Sequence, residues 1–308
     1  MERKPVSFKL ELVTIPGTSI QMERLVDFKH PLIPLKQPNY LFRQNLVEEV
    51  AYAVIHETNC LLVGDTGDGK TSLIVQLAAI LNRPCVRINV NNQSDPAILI
   101  GRDMPVEVEG TRMLTYRWGP LPKMMVQPYG WFILDEMDAA QPGVLLVLQQ
   151  MLEKNGKLIL EDASATMVER AMGFMFFATG NSIGIAGRHR TMYAGTNRTN
   201  EATLDRFDCV VHVTEMDVKL EEEVVGLNAP ELDRDFVKAV VRIAHEVRDQ
   251  LRDDQLSCTF STRRCIQWAQ AMCHFHPLQA ARLSVLNKLN AEDCKVLEGV
   301  IQRYFGNN

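Results

Sequence analysis

The sequence predicts an α/β fold: a mostly parallel sheet core followed by a C-terminal all-helical subdomain. Three observations predict it. Short continuous apolar runs alternate with segments carrying a helical apolar stripe, the order of strand–helix–strand units. One of these runs, Cys60 to Val63, leads straight into a glycine-rich loop and then a helix. Strand signals stop near residue 215, and only helix-favouring stretches follow. The expected organisation is an N-terminal arm or β element over 1–40, an α/β core over 41–215 and a helical subdomain over 216–308.

Taken in order, Ser7 to Val13 alternates apolar and polar, which suits a half-exposed strand, and Pro16-Gly17 marks a turn. Pro31, Pro34 and Pro38 then predict an extended linker. Asn45 to Ile55 reads as a helix with Leu46, Val50 and Val54 on one side. Cys60 to Val63 reads as a buried parallel strand, and Thr71 to Leu81 as a helix striped by Leu73, Ile74, Leu77 and Leu81. Val86, Ile88 and Val90 alternate in a second core strand. Ala97 to Tyr116 reads as a hairpin with Gly110 near its tip. Trp131 to Leu134, Phe174 to Ala178 and Val210 to Val213 are the third, fourth and fifth core strands. Between them Pro142 to Lys154 forms a helix, opened by proline and closed by Asn155-Gly156. The tail favours helix over Asp217 to Gly226, Asp233 to Leu251, Thr262 to His274 and Leu278 to Tyr304.

Composition narrows the function class. The chain has 308 residues, 46% hydrophobic and 23% charged, which is the make-up of a globular protein. A net charge of −5 argues against non-specific phosphate binding as the main activity, so nucleic acid is not the expected partner. No apolar run is long enough for a membrane span, and the N-terminus lacks the apolar segment of a secretory signal. The seven cysteines are scattered with no CxxC, the usage of reduced thiols in a cytoplasmic protein. Cys273-His274-Phe275-His276 lacks a second ligand pair and reads as structural.

Two motifs carry chemistry. Gly64-Asp65-Thr66-Gly67-Asp68-Gly69-Lys70-Thr71, followed by Ser72, fits GxxxxGK[ST] in full and lies between an apolar strand and an apolar-striped helix. Glycines there let the backbone wrap tightly and aim its N–H groups at phosphate oxygens, and the helix N-terminus adds a favourable dipole. Lys70 can reach the β- and γ-phosphates of ATP, and the Thr71 hydroxyl can ligate Mg²⁺. The second motif, Trp131-Phe132-Ile133-Leu134-Asp135-Glu136, is an apolar strand ending in two acids. Buried acids are costly unless they have a partner or a task. Asp135 is suited to hold Mg²⁺, and Glu136 to polarise an attacking water.

With these motifs in place, the sequence resembles the AAA+ ATPases, a P-loop NTPase class with a helical lid after the core. Phe174 to Asn181 resembles their sensor 1 strand, which implies that Asn181 helps position the water. Glu201-Ala202-Thr203-Leu204-Asp205-Arg206-Phe207 is similar to the E-A-x-L-D-R-F stretch of the MoxR branch, where the arginine acts at the neighbouring subunit's γ-phosphate. Arg206 is therefore the implied arginine finger, the alternative being an ion pair with Asp205 or another surface acid; Arg198 is a second candidate. Phe260-Ser261-Thr262-Arg263-Arg264 resembles the sensor 2 stretch but has Thr262 where proline is usual, so the choice between Arg263 and Arg264 stays open and Arg263 is taken. Gly119 to Pro122 and Pro142 to Glu153 look like MoxR proteins. Pro34 to Tyr40 and Gly187 to Glu201 look like the CobS type, the AAA+ subunit of aerobic cobaltochelatases. MoxR-like proteins carry an insert at the position of the 97–116 hairpin, facing a pore or partner, while a plain surface hairpin is equally compatible; Arg188-His189-Arg190 reads as a pore or phosphate contact, or as a solvated loop.

The resemblance implies a cytoplasmic, Mg²⁺-dependent ATP hydrolase. It implies a homo-oligomeric ring, a hexamer, because a finger acting in trans needs a neighbour. It further implies a partner protein carrying a von Willebrand A domain of the CobT type, in a chelatase-like or other remodelling system. The rival readings are a DNA-acting AAA+ protein, which should show a basic stripe, and a P-loop kinase, which would not need Asn181, Arg206 and Arg263 in this order. Asn287-Lys288-Leu289-Asn290 lacks the acid that guanine recognition uses, so GTP is not the expected nucleotide.

Overall fold

The structure, a computed structural model, describes residues 8–108, 111–160, 165–181, 200–253 and 256–306. Gly110, the Arg188-His189-Arg190 run, Arg198 and most of the Gly187 to Glu201 stretch lie outside them. The chain divides into two compact units, the first Met1–Gln37, Phe42–Gly64 and Gly69–Val213, the second Pro38–Leu41, Asp65–Asp68 and Thr214–Asn308.

The first unit opens with an antiparallel hairpin, β1 (Lys9–Thr14) and β2 (Gln21–Val26), turned at Pro16-Gly17 with Gly17 at φ +73°. After the proline-punctuated linker, α1 (Gln44–Ile55) precedes β3 (Cys60–Val63), α2 (Lys70–Ile80) and β4 (Cys85–Asn89). A short helix, α3 (Ala97–Ile100), leads into the antiparallel hairpin β5 (Gly101–Val108) and β6 (Thr111–Trp118), and α4 (Pro120–Met125) leads into β7 (Trp131–Asp135). Then come α5 (Pro142–Leu152), the two-residue strands β8 (Leu158–Ile159) and β9 (Met167–Val168), β10 (Met175–Gly180), α6 (Glu201–Leu204) and β11 (Cys209–His212).

The central sheet is parallel and ordered β11-β3-β10-β7-β4. Its three inner strands are buried at every residue, while the edge strand β4 has only half-buried and exposed positions and β11 buries Val211 alone. That is why β3, β7 and β10 read as unbroken apolar runs: helices cover both faces, so neither face can be polar. Register brings the strand ends into line. Gly180 pairs with Val63, Ala178 with Leu134, and Asn89 with Asp135, so the loop after β3, the acids ending β7 and the residue after β10 share one edge of the sheet. In open parallel sheets that carboxyl edge is where ligands bind.

Helix α5 ends earlier than the Asn155-Gly156 signal predicts. Its last carbonyls are taken by tertiary donors: Asn59 Nδ2 donates to Leu152 O at 2.6 Å, and the Arg170 guanidinium to Met151 O. Asn59 and Arg170 thus do at the helix end what a local cap otherwise does.

The second unit is helical: α7 (Val218–Asn228), α8 (Arg234–Arg252), α9 (Thr262–Met272), α10 (Pro277–Ser284) and α11 (Ala291–Phe305). In α8, Val237, Val240, Val241, Ala244 and Val247 recur at helical spacing and enter a core with Phe260, Trp268, Leu297 and Ile301. The single helix expected over Leu278 to Tyr304 is corrected to two, separated by a 3₁₀ turn at Leu286–Lys288. The break has a local cause: the Asn290 side chain accepts from the backbone N–H groups of Glu292 and Asp293 and starts α11 afresh. Among the described residues no helix is long and apolar enough to cross a membrane.

Glu221 lies fully buried in this unit. Its carboxylate receives both Arg248 terminal nitrogens, at 2.7 and 2.8 Å, the Thr262 hydroxyl at 2.7 Å and His245 Nε2 at 2.8 Å. Burial pushes its pKa up, but Arg248 and Thr262 outweigh burial and hold it below the usual carboxylate range. A depressed folded pKa contributes stability that is present above the unfolded value and lost as pH falls through the folded one. Hydrogen-exchange protection of α7, α8 and α9 is therefore expected to hold at neutral pH and to fall below roughly pH 4. Removing the acid in Glu221→Ala takes away the buried partner of Arg248, leaving it only Glu215 at 3.5 Å among acids, and costs about 3–5 kcal/mol. Protection of α7 and α9 unchanged in that variant would contradict this account.

Candidate active site

The loop from Gly64 to Lys70 needs glycine where it has it. A Cβ on Gly64 would lie 2.1 Å from Val213 O, because the ends of β3 and β11 come close there. Gly67 and Gly69 sit at φ +92° and +91°, the left-handed region that favours glycine, and Gly69 turns the chain directly into α2. At the first residue of α2, the Lys70 ammonium is buried, donating to Gly64 O at 2.6 Å and to Asn181 Oδ1 at 3.1 Å. The contact with Asn181 joins the P-loop lysine to the residue that follows β10.

Asp135 is the second meeting point. Thr71 Oγ1 donates to its Oδ1 at 2.7 Å, and the Thr179 hydroxyl donates to the same oxygen. Arg87, on the neighbouring edge strand, reaches Oδ2 through Nε at 2.7 Å and through a terminal nitrogen. Burial raises the Asp135 pKa, yet the two hydroxyls and the Arg87 charge outweigh it, so the carboxyl is held below its usual range and is ionised at neutral pH. A hydroxyl and a carboxylate within 2.7 Å form an all-oxygen donor set, which suits a hard cation such as Mg²⁺.

Glu136 is exposed and sits at φ +58°, ψ +43°, a conformation that a non-glycine residue adopts at a cost of order 1 kcal/mol. Its backbone N–H donates to Thr179 Oγ1 at 3.2 Å. One threonine therefore ties both acids of the strand end to β10. Asp138, buried two residues further on, accepts from the Asn181 backbone N–H at 3.0 Å and fixes where that residue leaves the strand.

Of the other sequence candidates, Arg263 stands beside the phosphate loop, where a Cβ on Gly67 would lie 3.8 Å from the Arg263 Cβ. Arg206 follows α6, donates to Ala202 O within its own turn and pairs with Glu153 at 3.2 Å. The surface-acid alternative weighed for this arginine is thus the pairing in the single chain, with Glu153 rather than Asp205. Arg263 is exposed in the first turn of α9, and the adjacent Arg264 donates to Thr259 O. Thr179, Asp138 and Arg87 were not singled out by spacing. The one signal for Thr179 was a polar residue inside the otherwise apolar run ahead of Asn181; Arg87 and Asp138 gave none, because their pairings join separate elements.

Sheet order, P-loop and strand-end acids together define a P-loop ATPase of the AAA+ class. Two protein-family profiles match consecutive parts of the chain: the AAA domain of the dynein-related subfamily over residues 59–207, and the CbbQ/NirQ/NorQ C-terminal domain over residues 221–303. The chain is 30% identical to the aerobic cobaltochelatase subunit CobS of Sinorhizobium sp, covering 96% of this chain and 93% of that protein. It is 34% identical to Midasin of Giardia intestinalis over 51% of this chain and 3% of that protein. A RuvB mutant from Thermotoga maritima superposes with a TM-score of 0.50 at 12% identity, over 90% of this chain and 76% of that one, a likeness of fold alone. The chain belongs to the MoxR/CobS-type AAA+ ATPases.

Proposed function

We propose that this chain is the Mg²⁺-ATP-hydrolysing subunit of a cytoplasmic ring motor that remodels or activates a partner protein. The observation that carries this reading is the paired contact Lys70–Asn181 and Thr71–Asp135, which gathers phosphate loop, strand-end acid and post-strand amide at one sheet edge. In this reading the backbone of Gly64 to Gly69 and the side chain of Lys70 grip the triphosphate, with Ser72 in the first turn of α2 beside them. Mg²⁺, held by Thr71 and Asp135, would neutralise phosphate charge. Glu136 orients the attacking water, and Asn181 fixes its position relative to the γ-phosphate. Arg263 is the sensor 2 residue.

Arg206 serves the neighbouring subunit. Its pair with Glu153 supports that role, since Glu153 is 59% exposed and such pairs are worth about 0–1 kcal/mol, little to give up when a phosphate is offered. A finger acting in trans requires a closed ring, and a hexamer is the count the family resemblance implies. The partner of this reading is a von Willebrand A protein of the CobT type; a chelatase-like client follows from the likeness to the cobaltochelatase subunit.

The test is Lys70→Ala. A charge-assisted contact is worth about 1.5–3 kcal/mol, so ATP affinity is expected to fall at least roughly tenfold by calorimetric titration. Ordinary affinity in this variant would remove the phosphate loop from the binding site.

A further inference from the structure

Cys60 opens β3 and Cys209 opens β11, and the two are direct partners in the parallel register. Register partners on neighbouring strands project to the same face and stand about 4.8 Å apart, inside the Cα window of about 4.4–6.8 Å that a disulfide accepts. Both are free thiols. Cys60 is fully buried; Cys209 is half-buried, with its Sγ 3.8 Å from Glu49 O. Cys209 also lines a cavity of about 360 Å³ together with Asn45, Glu48, Glu49, Tyr52 and Val210, so a small reagent can reach it.

Cys209 differs in character from Cys60, Cys85 and Cys258. The hydrogen bond from Cys60 holds the Cys209 thiol below the usual range, and pushes Cys60 well above it. Burial instead raises Cys85 to about 12 and Cys258 to about 11. The thiolate is the nucleophile, so oxidants select the lower thiol with access.

The surroundings link this pair to Arg206. Cys209 lies three residues after it, and Cys209 N donates to Asn59 O at 3.3 Å. The Asn59 side chain donates to Arg206 O at 2.9 Å and receives Arg170 at 2.9 Å. The residue before Cys60 therefore holds the turn that carries Arg206.

We propose that Cys60 and Cys209 form a peroxide-oxidisable thiol pair, a modification site whose disulfide displaces the Arg206 turn. Cys209 thiolate attacks one peroxide oxygen; the O–O bond breaks, leaving a sulfenic acid and a hydroxide that takes up a proton as water. Cys60 sulfur then attacks the sulfenic sulfur, the S–O bond breaks, and the Cys60 proton leaves with that hydroxide as a second water. Two thiols are oxidised to one disulfide while one peroxide is reduced to two waters. The usual Cα separation across a disulfide, about 5.5–6 Å, exceeds the strand spacing, so the bond pushes the start of β11 away from β3, and a misplacement of about 1 Å at a catalytic group can cost roughly 10²-fold in rate. The effect on rate rests on the finger role proposed for Arg206; the disulfide itself does not.

The experiment treats the full chain with stoichiometric hydrogen peroxide, alkylates the remaining thiols and maps the peptides by mass, alongside steady-state ATPase rates before and after reductant. A Cys60–Cys209 linked peptide is expected, absent in Cys209→Ser and in Cys60→Ala. The rate is expected to fall roughly 10²-fold on oxidation of the parent chain, to return on reduction, and to stay unchanged in Cys209→Ser. Cys60 and Cys209 recovered as free or singly oxidised residues would overturn the site. A linked peptide with undiminished ATPase would overturn its coupling to Arg206. A chain with no ATPase before oxidation would refute the motor reading while the mapped disulfide stood.

Discussion

Glu136→Gln is expected to bind ATP as the parent chain does and to hydrolyse it about 10²- to 10⁴-fold more slowly, the range a positioned general base supplies. The substitution keeps the size of the side chain and leaves untouched the backbone N–H that meets Thr179 at 3.2 Å, so the geometry of Asp135 and of the phosphate loop stays in place. What it removes is the charge that, in the proposed mechanism, draws a proton from water. The left-handed backbone at Glu136 is part of the case, since it departs from the strand that buries the preceding residue and leaves this one exposed. Single-turnover hydrolysis and equilibrium ATP binding, measured on the same preparation, separate the two effects. Unchanged turnover would take Glu136 out of the mechanism. Because the variant holds ATP, it is also the form with which to capture a partner: a von Willebrand A protein is expected, and retained nucleic acid would favour a DNA-acting motor.

Arg206→Ala carries the second large effect. A guanidinium at a transferring phosphoryl group stabilises charge that develops in the transition state, a contribution of roughly 10³- to 10⁵-fold where it has been removed from related chemistry. Turnover is expected to fall by at least roughly 10³-fold while ATP affinity changes little, since Lys70, the side chain proposed to grip the triphosphate, is held in place by Gly64 and Asn181. Stability should be nearly unaffected. The pair lost with Glu153 is a surface pair, and Asn59 holds the turn through the Arg206 backbone, which alanine retains. An affinity loss as large as the rate loss would place Arg206 among residues that bind ground state and transition state alike.

The sheet was legible because its constraint is local. Strands β3, β7 and β10 are buried on both faces, and that condition writes itself into the sequence as runs such as Cys60-Leu61-Leu62-Val63 and Trp131-Phe132-Ile133-Leu134. The phosphate loop was legible for a related reason, because backbone conformations at Gly67 and Gly69 demand glycine in place. What remained hidden was decided by partners distant in sequence. Helix α5 stops at Leu152 because Asn59 and Arg170 reach its last carbonyls, and no window around residue 152 contains either. The break before α11 turned on whether Asn290 would cap, against a stretch whose apolar spacing favoured continuing. At the site, Thr179 and Arg87 meet Asp135 only after β10 and β4 flank β7.

Subunit mixing tests most directly whether one copy of this chain completes the catalytic pocket of the next. Arg206→Ala and Glu136→Gln chains, each inactive alone, are combined over a range of ratios and assayed for ATP hydrolysis. At some junctions a Glu136→Gln subunit lends its intact Arg206 to an Arg206→Ala neighbour whose own Glu136 is intact, so activity is expected to rise above both parents and to peak at intermediate ratios. Mixed rings that form yet stay as inactive as either parent at every ratio would contradict an arginine acting across the subunit boundary.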